Sequence, residues 1–475
     1  MCDINELRRI GYNEDPQFKL SLAVNDQSEA IFECIKITRS LPGKRLSCIG
    51  RLNGKAIFAK FFIASKRAKN HWEKEKKGYH LLEDQQIPAP RMLHFGKQGE
   101  IYFILFEFLE SEAPFITIWS NADHSQQSLL LSQLTKTLAN HHDKGIIQQD
   151  LHLNNFLLSD DQIYTVDGAD IASFDPADNK IASDNLALLF AQFYPRYDKN
   201  IDKALKEYRS LRHWKFDPAL IDQIKATTRQ IREKRKLGRL DKTQRPCSLF
   251  DYRQDWNQLS ICSRKFQSNG IQEFIQSPDS FIAEGKLLKQ GNTCTVAIIT
   301  IDNKPRVVKR YNIKNWRHLL SRAFRQTRAM RSWTNAHLLE FYGIDTPKPI
   351  AIIEQRWGLF RKTAYYLSDL SLGQPGGEFF SSEKVSIENK ETVTQSMSDL
   401  INSLHQLNIS HGDLKISNFI VNDLKASILD LDSMKQHNCK HGFKKARAKD
   451  INRFFKNWLN APTIEALFNN QLNRD

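Results

Sequence analysis

No stretch of this chain approaches the roughly 18 consecutive apolar residues that a membrane-crossing helix needs. Its first residues, MCDINELRRIGYNEDP, put charges where a secretory signal would carry an apolar core. Both absences lead us to expect a cytoplasmic protein, at most peripheral to a membrane. Cysteine is sparse and unpatterned: seven residues, at 2, 34, 48, 247, 262, 294 and 439, with no CxxC spacing. That speaks against a disulfide framework or structural zinc and for a reducing compartment. His437, Cys439 and His441 alternate in a short polar stretch, which reads more readily as solvated loop than as a metal centre. Acidic charge is also short. There are 54 Asp+Glu against 69 Lys+Arg, a net charge of +15 that favours anionic partners. The excess is concentrated in residues 229–245, with eight basic and two acidic side chains, and in residues 304–331, with ten and none. Neither run interleaves aromatics for base stacking, so nucleic acid is not the expected partner. An anionic membrane surface is one reading of these runs, and solvated helix faces are the other.

What the chain does contain is one polar skeleton written twice, 263 residues apart. The first copy runs through Asp150, Asn155 and Asp167, and the second through Asp413, Asn418 and Asp430. In each, Asn follows the first Asp by five residues and the last Asp follows by twelve more, inside similar apolar residues (QQDLHLNNFLL and HGDLKISNFIV). A single match of this kind is cheap; a duplicate in register is not. It reads as the active-site loop of a protein-kinase-like phosphotransferase, present twice. The 475 residues leave room for two such domains.

Each skeleton is preceded by a strand–turn–strand pattern ending in lysine. Asn53-Gly54 lies before Lys60, and Asp302-Asn303 before Lys309. A helical, charged segment follows each, ending in HLLEDQQIPAP (80–90) and HLLEFYGIDTPKP (337–349), a further internal repeat. The expectation is an α+β chain of tandem kinase-like domains, 1–265 and 266–475, each with a small antiparallel sheet and a mostly helical lobe. Their N-lobes cover about 30–110 and about 280–372. Their C-lobes cover about 111–262 and about 390–475, the second shortened, with the boundary in the polar stretch 262–272.

Phosphoryl transfer asks for charge neutralisation and in-line positioning rather than covalent chemistry. Lys60 and Lys309 are placed to hold the α/β-phosphates of ATP. Asp150 and Asp413 are the candidate catalytic carboxylates that orient or deprotonate the acceptor hydroxyl. Asn155 with Asp167, and Asn418 with Asp430, offer hard oxygens to Mg²⁺. Glu75 is the helix-borne partner expected for Lys60. The corresponding position in the second half is Ser332, in a run of arginines without an acid (Arg322, Arg325, Arg328, Arg331), so Lys309 has no evident partner. The loops that would cover the phosphates hold one glycine each, Gly43 and Gly291.

These residues, with SLPGKRL (40–46), GKAIFAKFF (54–62) and RPCSLF (245–250), resemble the lipopolysaccharide core sugar kinases, the Kdo/heptose kinase group of protein-kinase-like fold. The resemblance implies ATP-dependent phosphorylation of a sugar hydroxyl, heptose or Kdo, in the lipid A–inner core, at the cytoplasmic face of the inner membrane. The chain departs from the pattern in two places. Gln148-Gln149 replace the usual His-x before Asp150, removing a packing and hydrogen-bonding residue from the loop, and the second half lacks the helix glutamate. Two alternatives stay open: a kinase for another small-molecule or protein hydroxyl, and one active domain regulated by a nucleotide-binding partner domain.

Overall fold

A computed structural model describes residues 3–11, 14–24, 28–110, 113–214, 217–312, 326–358 and 360–472. The protein is α+β. It packs into two compact units, residues 1–193 with 197–232, and residues 194–196 with 233–475.

The first unit opens with a short helix, α1 (Ile4–Arg9), and a six-stranded antiparallel sheet. Its strands are β1 (Lys19–Val24), β2 (Ser28–Leu41), β3 (Arg45–Leu52), β4 (Lys55–Phe62), β5 (Met92–Gln98) and β6 (Ile101–Glu107), in the order β1-β2-β3-β4-β6-β5. Leu7 and Ile10 pack with Phe32, Phe61 and Phe103 in its core. Each fully buried aromatic of this kind contributes roughly 2–3 kcal/mol. The β3–β4 hairpin turns at Asn53 (φ 50°) and Gly54 (φ 83°), as the sequence suggests. Two positive φ angles in succession match the right-handed strand twist, and Asn-Gly supplies them with little strain. Helix α2 (Ala68–Asp84) follows β4. It stops at Gln86 (φ 50°), where Ile87 N–H closes back on the Leu82 carbonyl at 2.8 Å.

The rest of the first unit is mostly helical: α3 (Phe115–Asn121), α4 (His124–Asp143), α5 (Asn179–Phe190), α6 (Asp198–Leu211) and most of α7 (Pro218–Lys242). Short strands carry the loops between them: β7 (Ala113–Pro114), β8 (Ile146–Gln148), β9 (Phe156–Ser159), β10 (Gln162–Thr165) and β11 (Ile171–Ser173).

The second unit repeats the plan around a seven-stranded antiparallel sheet. Strands β12 (Phe250–Gln254) and β13 (Gln258–Ser263) come first, then α8 (Asn269–Gln276), α9 (Pro278–Glu284), β14 (Lys286–Gln290), β15 (Cys294–Ile301) and β16 (Lys304–Tyr311). Helix α10 (Arg328–Phe341), β17 (Pro349–Trp357) and β18 (Phe360–Asp369) complete it, in the order β12-β13-β17-β18-β16-β15-β14. The β15–β16 hairpin turns at Asp302 (φ 50°) and Asn303 (φ 57°). Beyond the sheet lie β19 (Gln374–Pro375), α11 (Gly376–Ser381), α12 (Ile387–Gln406), β20 (Ile409–Ser410), β21 (Phe419–Asn422), β22 (Lys425–Ile428), β23 (Lys435–Gln436), α13 (Lys440–Phe455) and α14 (Pro462–Asn469).

By packing, the units divide at 232/233, inside α7, whereas the sequence reading placed the boundary at 265/266. The reason is main-chain pairing. Strand β13 joins β17, with Leu259 opposite Glu354 and Ile261 opposite Ile352, so β12 and β13 extend the second sheet. Trp333 of α10, fully buried against Phe250, donates its indole N–H to the Thr243 carbonyl at 3.0 Å. Among the described residues no helix is long and apolar enough to cross a membrane.

Candidate active sites

In the first unit, Glu75, Gly78, Tyr79 and Leu82 are buried at the i, i+3, i+4, i+7 spacing of one face of α2. That face meets β4 and the turn after Asp167. Lys60 Nζ forms an ion pair with Glu75 Oε1 and stands 3.4 Å from Asp167 Oδ1. Arg45 adds a second cation, 3.8 Å from Glu75 Oε2 and 3.9 Å from Asp167 Oδ1. Burial opposes a charge on Lys60, but Glu75, with Asp167 beyond it, outweighs burial and holds the ammonium well above its ordinary range. Burial likewise pushes Asp167 up, and Lys60 and Arg45 more than reverse that, leaving it below the usual carboxylate range.

Two further contacts tie the turn to α2. Glu75 Oε1 accepts the Gly168 N–H at 3.1 Å. A β-carbon at Gly78 would sit 1.7 Å from the Gly168 carbonyl oxygen, so this approach requires glycine. Asp167 itself is left-handed (φ 72°).

The loop carrying Asp150 is built from behind. Asn155 donates Nδ2 to the Asp150 carbonyl (2.9 Å), and its own carbonyl accepts the Val166 N–H (2.9 Å). Asp150 Oδ1 meets His152 Nε2 at 2.9 Å. The sequence reading took Gln148 to cost the loop a hydrogen bond. The structure corrects this: buried Gln148 donates Nε2 to the Val166 carbonyl at 3.0 Å. In the second unit His411 Nε2 lies 2.9 Å from the Leu429 carbonyl, the equivalent acceptor. A side-chain amide reaches as far as an imidazole there, so the bond survives the substitution. The Gln148 carbonyl accepts from Asn185 Nδ2 (2.8 Å), and Asn185 also meets His142 (3.1 Å).

The second unit reproduces the loop closely. Asn418 donates Nδ2 to the Asp413 carbonyl at 2.8 Å, the Leu429 N–H returns to the Asn418 carbonyl at 2.8 Å, and Asp430 is left-handed (φ 60°). Around the lysine the chemistry differs. Lys309, for which the sequence offered no partner, lies 3.1 Å from Asp430 Oδ1. Burial raises Asp430, and Lys309 brings it below the usual range. Ser332, in the place of Glu75, is buried and hydrogen-bonded to the Tyr311 hydroxyl at 3.0 Å. Asn335, in the place of Gly78, donates Nδ2 to the carbonyls of Leu431 (2.8 Å) and Met434 (3.0 Å). Arg328 at the start of α10 binds Asp432 Oδ2 through Nε (2.9 Å) and NH2 (2.5 Å).

Asp413 is gripped on both oxygens, Oδ1 by Arg453 at 2.5 Å and Oδ2 by Lys415 at 2.9 Å. Burial raises its carboxyl, and the hydrogen bond and charge of Lys415, then Arg453, carry it below the ordinary value. Buried Asp450, one turn before Arg453 on α13, accepts the N–H groups of His411 (2.6 Å) and Gly412 (3.0 Å).

Lys60, Glu75 and Asp167 thus meet in the first unit and Lys309 and Asp430 in the second, beside residues that the sequence pattern does not mark: Arg45, the Arg328–Asp432 pair, Asp450 and Arg453. Asp432 was visible in the triplet Asp430-Leu431-Asp432, but its partner lies 104 residues away. Gly43 (φ 67°) sits at the β2–β3 turn, and Gly291 donates its N–H to the Cys294 carbonyl (3.1 Å) at the β14–β15 turn.

Part of each basic run is engaged. Arg232 pairs with Asp198, Lys236 with Glu233, Arg239 with Glu340 and Arg245 with Asp241. In the other run Arg306 pairs with Asp369 and Arg310 with Asp279, while 313–325, with Arg322 and Arg325, lie outside the described residues. His437 Nε2 meets Ser410 Oγ at 2.8 Å. Among the described residues no three His, Cys, Asp or Glu side chains cluster as a metal centre.

No curated protein matches the chain. Residues 279–471 match the Lipopolysaccharide kinase (Kdo/WaaP) family. That stretch holds Lys309, Asp413, Asn418 and Asp430 in the arrangement just described, so the matched part of the chain is similar to that family where its candidate site lies.

Proposed function

We propose that the chain is an ATP-dependent sugar kinase of the lipopolysaccharide inner core with a phosphotransfer site in each unit, acting on a heptose or Kdo hydroxyl. The observation that supports two sites is the repeated loop. Each unit has an aspartate whose carbonyl is bound by the asparagine five residues on, and a left-handed aspartate within reach of a lysine.

Asp150 and Asp413 accept the proton of, or orient, the sugar hydroxyl. Lys60 and Lys309 hold phosphate oxygens, and Arg45 adds a second cation in the first unit. The donor set suits Mg²⁺. Asn155 and Asn418 each commit Nδ2 to a backbone carbonyl, which leaves the amide oxygen, a hard ligand, beside the carboxylates of Asp167 and Asp430. Bound ATP supplies the phosphoryl group, and Mg²⁺ neutralises charge on it. Asp450 keeps the second loop in place through the His411 and Gly412 N–H groups. A lipid-linked acceptor places the work at the cytoplasmic face of the inner membrane.

Mass spectrometry of lipid A–core from a strain lacking this gene tests the reading, with complementation by wild type, Asp150→Asn or Asp413→Asn. The expected result is a missing phosphate restored by wild type and not by the variant of the responsible unit. An unchanged core in the deletion strain overturns the lipopolysaccharide assignment.

A further inference from the structure

The second unit lacks the glutamate that ties lysine and helix together in the first, and other side chains join its helix to the turn after Asp430. Five positions differ in concert. Glu75 becomes Ser332, Arg45 becomes Cys294, Phe62 becomes Tyr311, His71 becomes Arg328 and Ala169 becomes Asp432. Two cations face two carboxylates in both units: Lys60 and Arg45 with Glu75 and Asp167 in one, Lys309 and Arg328 with Asp430 and Asp432 in the other. The balance of charge is kept while the carriers have moved.

The positions of the newcomers give them a role. Asp432 is buried and sits two residues after left-handed Asp430, inside the short turn Leu431–Ser433. Its Oδ2 takes both Arg328 nitrogens, and its Oδ1 accepts from Ser433 Oγ at 3.0 Å. Arg328 stands on the first turn of α10, its guanidinium 5.0 Å from the centre of the Tyr311 ring. Tyr311 reaches Ser332, at the position of Glu75, with its hydroxyl at 3.0 Å. A planar guanidinium on one carboxylate oxygen, backed by an aromatic face, restrains both direction and distance.

We propose that Arg328 and Asp432 form the second unit's positioning pair: they hold the turn that carries Asp430 against α10 and so keep Asp430 and Lys309 in register for a bound nucleotide. This rests on the phosphotransferase reading above. The pair stands in for the Lys60–Glu75 contact by bracing the other side of the same turn. Among the described residues, Asp430 is the acid paired to Lys309. Arg328 and Asp432 touch no reacting atom and act through Asp430.

An acyl-phosphate analogue of ATP tests this in the intact chain, because it acylates a lysine beside bound phosphates and Lys60 and Lys309 can be read as separate peptides. Wild type should label both lysines, and excess Mg-ATP should suppress both. Arg328→Met and Asp432→Asn should each lower ATP-suppressible labelling of Lys309 by about tenfold to a hundredfold, with Lys60 unchanged as the internal control. The exchanged pair, Arg328→Asp with Asp432→Arg, should recover much of it, and Arg328→Lys should fall between. Hydrogen exchange should rise at residues 430–434 in the single variants at unchanged global unfolding, which a merely structural role would not produce. If a methionine at 328 prevents folding, the lysine variant and the exchange carry the test. Wild-type labelling of Lys309 in both single variants overturns the pair's role and leaves the nucleotide site standing. No ATP-suppressible label on wild-type Lys309 overturns the nucleotide reading itself, and the pair's role with it.

Discussion

The two units solve one problem with different residues. In the first, a glutamate on α2 takes the lysine on one side and the backbone of the turn after Asp167 on the other, and a glycine–glycine contact closes the gap. In the second, an asparagine and an arginine on α10 grip the same turn, and the lysine goes directly to the aspartate. The Asp–Asn–Asp loop is the same in both down to the backbone hydrogen bonds. What is held in common is therefore the placement of oxygens and of a lysine around a turn. The residues that enforce the placement are exchangeable in groups whose charge sums to the same value. The loop's rear support differs too: Asp450 binds two N–H groups in one unit, and Asn185 binds a carbonyl in the other.

The most severe way to separate the units is to remove one proposed catalytic carboxylate at a time. Asp150→Asn and Asp413→Asn should each lower transfer by its own unit by about 10²–10⁴-fold, followed as phosphate incorporated into lipid A–core. The lysines should differ sharply in stability. Lys60→Met leaves the completely buried Glu75 without its main partner and should destabilise the first unit by about 3–5 kcal/mol. Lys309→Met leaves Asp430 partly exposed and should cost at most about 1 kcal/mol. Thermal unfolding with hydrogen exchange read separately in each unit distinguishes them, and equal losses would break the comparison.

Gly78→Ala should push α2 off the turn, at about 3 kcal/mol, and should weaken ATP-suppressible labelling of Lys60 more than that of Lys309.

A further difference concerns acid. His142 and His405 occupy equivalent positions, and burial pushes each down to about 4. His141, where the second unit has Leu404, is pushed by burial to about 3. An unfolded histidine titrates near 6.5. Between that pH and the folded value the unfolded chain binds more protons, so the stability is fully present above pH 6.5 and is lost as pH falls toward 4 and 3. The first unit should therefore lose about 2 kcal/mol more than its His141→Leu variant on going from pH 7 to 4.5. An unchanged acid limb in that variant would exclude the assignment.

Much of this was legible in the sequence because it is local. The hairpins announce themselves at Asn53-Gly54 and Asp302-Asn303, and the loops at fixed spacings from Asp150 and Asp413. Glu75 could be named because helix periodicity puts it on the face toward the sheet. What stayed hidden joins distant segments: Arg328 to Asp432, Asp413 to Arg453, and β13 to β17. A sequence pattern records which residues share a face but not which face meets which. The absence of an acid at position 332 therefore read as a missing partner, when Lys309 reaches Asp430 directly. Gln148 misled in the same way, since nothing local tells that its amide reaches the Val166 carbonyl.

The most direct measurement is the number of nucleotides that the intact chain binds. Titration calorimetry with a non-hydrolysable ATP analogue and Mg²⁺ should give two sites per chain, with Lys60→Met abolishing one and Lys309→Met the other. A single site, lost entirely with one of the two lysines, would contradict the account of two working sites built from different residues.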